Sequence, residues 1–213
     1  MKRLLQIATI GVLFAFSHLH ASISFDLQAE LLRAIPPNAV AAPTSTLVML
    51  IADTANNGFS TITGERLLNV GSFITDDDQI LLKGDIETAT ATAGVFASFP
   101  TLDLSGAWAV GNRLALVWFP TYTTLTGQTL AGDSYGLYSN PSSGVDGSDA
   151  WLTPADGASG YKLYFFTSEA TLTHIGGSNS ADAGDASLIV APEPSLSCLA
   201  LFGFAGILLR RKR

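Results

Sequence analysis

Acidic and amide side chains concentrate in several short turn-like segments, and turns rich in such oxygen donors are where proteins bind calcium. Residues 53–58 read Asp-Thr-Ala-Asn-Asn-Gly, which places oxygen donors ahead of a turn glycine. However, the third and twelfth positions of a calcium loop would fall on Ala55 and Gly64, which carry no side-chain oxygen. An Asn-Gly turn after a buried strand explains the same residues without a metal. Residues 76–78 and 146–149 are further acidic candidates, but charged turns need only water, so the sequence predicts no cofactor and no metal site and leaves calcium open.

Side chains that could carry out catalysis are few. His174 is the single histidine after residue 21, which excludes a zinc or copper site built from several histidines of one chain. A Ser-His-Asp triad would have to use this same histidine. A glycosidase needs two carboxylates across a cleft, and the candidate pair is Asp85 and Glu87, which would share one face of a strand. Acids on the outer face of a strand more often simply face water, so we predict that the protein is not an enzyme.

Aromatic side chains are the candidates for binding a sugar, because an exposed ring can stack on one. Trp118 lies within the most apolar stretch of the chain and is predicted to be buried. Trp151 follows Asp149 and precedes the turn residues 154–157, so its ring is predicted to be partly exposed. Trp151 is therefore the candidate ligand-binding residue.

The charge of the central region excludes one class of partner. Residues 22–191 contain five Lys or Arg and seventeen Asp or Glu, a formal net charge of −12. Such a field repels phosphate backbones, so a nucleic-acid partner is not expected. The only cysteine, Cys198, lies outside this region, which leaves the region without a disulfide.

Short runs of β-branched and aromatic residues alternate with Gly, Pro, Asn and Asp clusters, which is typical of an all-β fold. We predict a single antiparallel β-sandwich or barrel-like domain over residues 22–191, of a size that suits one core. Residues 27–35 also fit a helical apolar stripe, and residues 88–93 fit either a strand or a loop. The predicted strands lie at residues 22–28, 47–52, 79–83, 94–99, 113–119, 134–138, 161–167 and 186–190.

The first 21 residues have the three regions of a secretory signal peptide. Lys2 and Arg3 are followed by an apolar run at residues 4–16 and then by small and polar residues, with cleavage after Ser17 or Ala21 left open. The apolar run falls well short of the roughly twenty residues that span a bilayer. The segment predicts export through Sec-type machinery.

The last 22 residues form a second tripartite segment. A Pro-Glu-Pro motif precedes an apolar run at residues 196–209, and a basic cluster follows the run. A helix of this run would be about 21 Å long, against a hydrocarbon core of about 30 Å. Both apolar runs carry their basic residues on the outer side, so the region between them is expected to be translocated. The motif and cluster residues are Pro192, Glu193, Pro194, Arg210, Arg211, Lys212 and Arg213.

Residues 192–213 closely resemble the PEP-CTERM sorting signal of Gram-negative bacteria. The resemblance implies recognition by exosortase, an integral-membrane enzyme similar to a transpeptidase, and removal of the hydrophobic sorting helix near the Pro-Glu-Pro motif. It also implies delivery to the envelope or extracellular matrix, usually in organisms that make exopolysaccharide. The underlying logic is that of a GPI signal, whose hydrophobic tail is read and then discarded.

The central region is also similar to a domain found in exported PEP-CTERM proteins of uncharacterised role. The similarity lies in a Trp-Phe-Pro stretch at residues 118–120, a Ser-Tyr-Gly-Leu-Tyr stretch at residues 134–138 and a Trp-x-x-Pro-x-Asp-Gly stretch at residues 151–157. It implies no reaction and no functional residue.

Together these features predict an exported, non-enzymatic protein of the cell envelope or extracellular matrix. It would pass transiently through the inner membrane and then reach the cell surface or the medium. The alternative is a carbohydrate-binding or adhesive β-sandwich module, with or without a calcium ion, and with exopolysaccharide as the partner.

Overall fold

A computed structural model describes residues 22–29, 32–34, 40–86, 95–103, 107–142, 147–165, 186 and 188–192. The predicted signal peptide lies outside these residues, and so does the predicted sorting segment apart from Pro192. Nine strands form, and the described part of the chain contains no helix, so the predicted all-β class is confirmed there. The strands are β1 (Ser22–Ala29), β2 (Leu47–Asp53), β3 (Asp78–Asp85), β4 (Phe96–Ser98), β5 (Thr101–Asp103), β6 (Arg113–Phe119), β7 (Ser134–Tyr138), β8 (Tyr161–Phe165) and β9 (Leu188–Ile189).

The larger sheet has five strands in the order β3-β2-β6-β7-β9, and all of its strand pairings are antiparallel. All seven residues of β2 are buried, as are six of the seven residues of β6. Both strands are nearly continuous apolar runs, and such runs form strands that are covered on both faces. The sheet is therefore an inner layer of the molecule.

The smaller sheet is built around β1. The two short strands β5 and β4 pair with successive halves of one edge of β1, and β8 pairs with the other edge. Alternate residues of β1 are buried, so one face of this sheet packs on the core and the other faces water. The two sheets together form the predicted sandwich.

One strand pairing departs from the predicted antiparallel arrangement, because β1 and β8 run parallel. A parallel pairing needs a long crossover connection, and the chain between β1 and β8 supplies it by building most of the larger sheet. Local sequence patterns indicate where a strand lies but not the direction of its partner.

Two apolar cores lie on opposite faces of the larger sheet. The first core lies between the two sheets, where the Tyr138 ring stacks on Phe165 with 3.9 Å between centroids. The second core lies between the larger sheet and the long connections at residues 54–77 and 120–133. In this core Phe119 stacks on Tyr122 at 4.8 Å. The connections therefore act as a third layer over the sheet.

The predicted positions of the strands agree closely with the structure where apolar runs are long. The bounds of β6 and β7 match the prediction at both ends, whereas β9 is shorter than predicted. Strand β8 begins at residue 161 as predicted, and residues 166–167 lie outside the described residues. The prediction missed β5, since Pro100 interrupts this edge of the smaller sheet and leaves only three residues on each side of the break. The described residues 27–29 of the alternative helical stripe belong to β1.

Gly136 is the point where the Trp118 indole crosses strand β7. The two residues are cross-strand partners, and a Cβ atom added at Gly136 would lie 2.0 Å from Cζ2 and 2.1 Å from Cε2 of Trp118. The indole is fully buried and its Nε1 donates a hydrogen bond to the Arg33 carbonyl at 3.1 Å, so it has little room to move. Only glycine fits opposite this ring.

We expect Gly136→Ala to lower the free energy of unfolding by about 3 kcal/mol, because the added methyl group overpacks a closed core. Gly127→Ala is the matched control, since a Cβ at Gly127 has no heavy atom within 4 Å, and we expect its effect to stay under about 1 kcal/mol. Urea unfolding followed by tryptophan fluorescence measures both. Equal stability of the two variants would mean that Trp118 does not lie over Gly136.

Candidate functional site

Asp53 and Asp78 lie directly opposite each other at the point where β2 ends and β3 begins. Strand alternation places both side chains on the face of Ile51 and Ile80, beneath the connection at residues 54–77. Both aspartates have 0% of their surface exposed. The structure thus brings together two of the acidic segments that the sequence marks as separate calcium candidates.

Each of these carboxylates uses one oxygen to hold the connection in place. The backbone N–H of Gly58 donates to Asp53 Oδ2 at 2.7 Å. The Thr75 hydroxyl and the backbone N–H of Ser60 donate to Asp78 Oδ2 at 2.6 and 3.3 Å. The other oxygen, Oδ1, of each carboxylate is buried and has no hydrogen-bond partner. A buried oxygen without a partner is costly, so it calls for an explanation.

The three consecutive aspartates of residues 76–78 lie in three different environments. The Asp76 side chain is 93% exposed and forms an ion pair with Arg66 at 3.4 Å. The Asp77 carboxylate accepts a hydrogen bond from Asn57 Nδ2 at 2.8 Å. Asp78 alone of the three is completely buried. The described residues contain no group of three or more His, Cys, Asp or Glu side chains that could hold a metal.

Burial raises the pKa of the Asp78 carboxyl to about 6, and the nearby charges of Asp77 and Asp53 add to this effect. The hydrogen bonds from Thr75 and Ser60 act in the opposite direction, because they favour the ionised form. At neutral pH Asp78 is therefore a carboxylate held in surroundings that disfavour its charge.

A positively charged residue lies beside Asp53 in the sheet. Arg113 is the cross-strand partner of Asp53 on β6, and its Nη1 atom lies 3.6 Å from the position that a Cβ on Gly58 would take. In the sheet order, β2 separates Arg113 from Asp78. The backbone of Arg113 thus lies two strand spacings, or roughly 10 Å, from the backbone of Asp78.

Trp151 is completely buried, so the expectation of a partly exposed ring is wrong. Its backbone N–H donates to the Asn140 carbonyl and its carbonyl accepts from the Leu114 N–H, both at 2.8 Å. These bonds draw the residue between the sheets, where its ring packs edge-on against Tyr138 with 5.1 Å between centroids. A sugar cannot stack on a ring in this position. Trp118 is fully buried, as predicted.

The third acidic segment, residues 146–149, supports strand β8 in its described part. Asp149 Oδ2 accepts a hydrogen bond from the Lys162 N–H at 2.8 Å, and Ser148 Oγ accepts one from the Tyr164 N–H at 3.0 Å. These oxygens are therefore used within the fold. Asp146 lies outside the described residues, as do His174, Glu87, Glu193, Pro194, Arg210, Arg211, Lys212 and Arg213.

Residues 132–136 read Gly-Asp-Ser-Tyr-Gly, which matches the Gly-x-Ser-x-Gly pattern. Ser134 is not among the catalytic candidates named in the sequence analysis. Serine hydrolases place this pattern at a sharp turn between a strand and a helix, with the serine exposed. Here Ser134 is the first residue of strand β7, is 3% exposed, and is followed by four more strand residues. The local structure is therefore not that of a nucleophile elbow.

Two cavities open along the side of the sandwich where β3 faces β4 and β5. The first, of about 210 Å³, is lined by residues that include Gln79, Asp103 and Trp108. The second, of about 410 Å³, is lined by residues that include Lys83 and Phe99. Among the residues that line the first cavity, Trp108 is the one with an aromatic ring that could stack on a sugar. However, Trp108 is 6% exposed, so it offers little of its face.

No protein-family model, no curated protein and no solved structure matches this chain. The all-β, sandwich-like fold therefore follows from the structure itself. None of the described segments forms a helix with the length and apolar character needed to cross a lipid bilayer.

In protein stripped of divalent cations, we expect the free energy of unfolding to fall as the pH rises from about 4.5 to about 7.5. The folded state binds the Asp78 proton more tightly than the unfolded chain does, so stability is lost as the pH passes through the folded pKa of about 6. Urea unfolding at the two pH values should show a fall that is about 2 kcal/mol greater in the unaltered chain than in Asp78→Asn.

Asp76→Asn is the control for this pH dependence. It removes the same charge from an exposed position, so we expect it to keep the pH dependence of the unaltered chain. If Asp78→Asn and the unaltered chain lose stability in parallel, the Asp78 carboxyl does not titrate as described.

Proposed function

We propose that this protein is an exported, non-enzymatic component of the cell envelope or extracellular matrix, sorted by its C-terminal segment. The observation that carries the proposal is the order of three features in residues 192–213: a Pro-Glu-Pro motif, a short apolar run and a basic cluster. An exosortase-like membrane enzyme would read this segment and cleave near the motif. The signal peptide at residues 1–21 would bring the chain to the membrane through Sec-type machinery.

The end of the folded domain supports cleavage at this place. The Ala191 N–H donates to the Ile62 carbonyl at 2.9 Å, and the Gly64 N–H donates to the Ala191 carbonyl at 2.7 Å. Val190 exchanges hydrogen bonds with Gly132 and Asp133, both at 2.9 Å. The chain is therefore fixed to the domain through Ala191.

The next residue, Pro192, is exposed. The first residue of the Pro-Glu-Pro motif is thus exposed, and a processing enzyme needs accessible chain at its cleavage site. Cleavage beyond Pro192 would break none of the hydrogen bonds that hold residues 190–191.

The charge of the domain suits a place outside the cell. Residues 22–191 carry a formal net charge of −12, which favours solubility and repels anionic surfaces. Asp53 and Asp78, the two fully buried acids among the described residues, have no exposed surface and so cannot contact a substrate. These features fit a coat protein that lies among exopolysaccharide better than an enzyme that cleaves it.

We expect replacement of the basic cluster by glutamine, at Arg210, Arg211, Lys212 and Arg213, to retain the C-terminal segment and to hold the protein in the inner membrane. Pro194→Ala should have the same effect by removing part of the cleavage motif. In a Gram-negative host with an exosortase, fractionation locates each variant, and the intact mass of the recovered protein reports both processed ends.

Lys162→Gln is the control, because it removes an exposed positive charge within the domain and should leave sorting unchanged. The proposal is rejected if both tail variants show the same location and the same C-terminal mass as the unaltered chain. The mass of the unaltered chain also decides between signal-peptide cleavage after Ser17 and after Ala21.

A further inference from the structure

The two buried carboxylates at the junction of β2 and β3 leave an unusual pair of oxygens. Asp53 Oδ1 and Asp78 Oδ1 are both inaccessible to solvent and lack a hydrogen-bond partner, although the residues are direct cross-strand neighbours. Side chains in this relation have Cβ atoms about 5 Å apart. Calcium binds carboxylate oxygens at about 2.3 to 2.6 Å, so one ion can contact both groups. We propose that Asp53 and Asp78 together bind one calcium ion at the base of the connection between β2 and β3.

The need for a positive charge here follows from burial. An ionised carboxylate removed from water is strongly unfavourable unless a counter-charge or donors satisfy it, and two side by side are worse. Arg113 is the cross-strand partner of Asp53 on β6, whereas Asp78 lies on β3 beyond β2. The ion pair that the described residues form at this acidic segment is that of Arg66 with Asp76. A cation between the two aspartates would satisfy both free oxygens at once.

The chemistry of the surrounding groups favours calcium over other metals. The two aspartates offer only oxygen, and the described residues bring no cluster of His or Cys to the site, so soft-metal ligands are not part of it. Magnesium usually keeps several of its waters, which a site with no exposed surface does not accommodate. Calcium accepts six to eight oxygens, including backbone carbonyl, hydroxyl and amide oxygens, in flexible geometry.

The connection at residues 54–77 can supply the remaining oxygens. It begins and ends at the two aspartates, and it carries the Thr75 hydroxyl, which is hydrogen-bonded to Asp78. The Asn57 side-chain amide is hydrogen-bonded to the neighbouring Asp77. Its backbone folds over the acidic pair through the hydrogen bonds of Gly58 and Ser60 to the carboxylates. A bound ion would therefore tie both ends of this connection to the sheet.

This placement couples the ion to the stability of the second core. The connection contributes Ile62, Leu68 and Ile74 to that core, so loosening its base would expose the larger sheet. Calcium should thus act as a stabilising ligand of the folded state. The inference does not rest on the sorting proposal, because it uses only the folded domain.

The test is calcium titration of the purified full-length chain after treatment with a chelator. We expect isothermal titration calorimetry to show one site per chain. At a calcium concentration a hundredfold above the Kd, the melting temperature should rise by at least about 5 °C. Excess chelator should reverse the rise, and magnesium should give a smaller one.

Matched variants distinguish a specific site from general attraction to an acidic protein. Asp53→Asn and Asp78→Asn keep the size of the side chain and should abolish both the binding heat and the temperature shift. Asp76→Asn removes the same charge from an exposed neighbour and should keep both. Circular dichroism shows whether each variant folds. If a variant does not fold, the number of calcium ions bound per unaltered chain still tests the proposal.

Three results would overturn the proposal. The first is a chain that neither binds calcium nor gains thermal stability at about 10 mM, far above the Kd range of calcium modules. The second is an equal loss of binding in Asp76→Asn and Asp78→Asn, which would indicate diffuse attraction. The third is an equal response to magnesium and calcium, because a site closed to water should favour calcium over magnesium, which keeps several of its waters.

Discussion

Burial of the larger sheet on both faces is the constraint on which the rest of the structure depends. The apolar runs of β2 and β6 cannot face water on either side, so one cover is not enough. The smaller sheet supplies the first cover, and the long connections supply the second. This explains why loops of this protein contain core residues such as Ile62, Leu68 and Tyr122. It also explains why polar groups at the base of a connection become buried.

The acidic pair is a direct result of this arrangement. Asp53 and Asp78 mark the points where the chain leaves the sheet and returns to it, and each fixes the connection through one carboxylate oxygen. The same layer that protects the apolar face removes water from both carboxylates. The domain therefore holds two acidic side chains away from solvent, and among the described residues no ion pair to Asp78 is formed. Acidic side chains are rarely buried in this way.

The sequence predicts the elements of this fold better than their relations. The long apolar runs of β2, β6 and β7 are local signals, and the predicted burial of Trp118 follows from its place in one of them. The predicted exposure of Trp151 is wrong because the turn residues near it in the sequence do not reveal its long-range partners. The backbone of Trp151 is hydrogen-bonded to Asn140 and Leu114, which holds the residue between the sheets. Likewise, the acidic segments around Asp53 and Asp78 could be recognised singly, but their pairing is set by strand register across a long connection.

The parallel pairing of β1 with β8 has a consequence for how the chain reaches its native state. The first described strand finds one of its two edges covered by a segment that is synthesised more than a hundred residues later. Contacts so far apart in sequence slow folding, because the loop must close before they contribute. Until β8 has been made, residues of β1 such as Ile23 and Phe25 lack part of the cover that buries them in the native state.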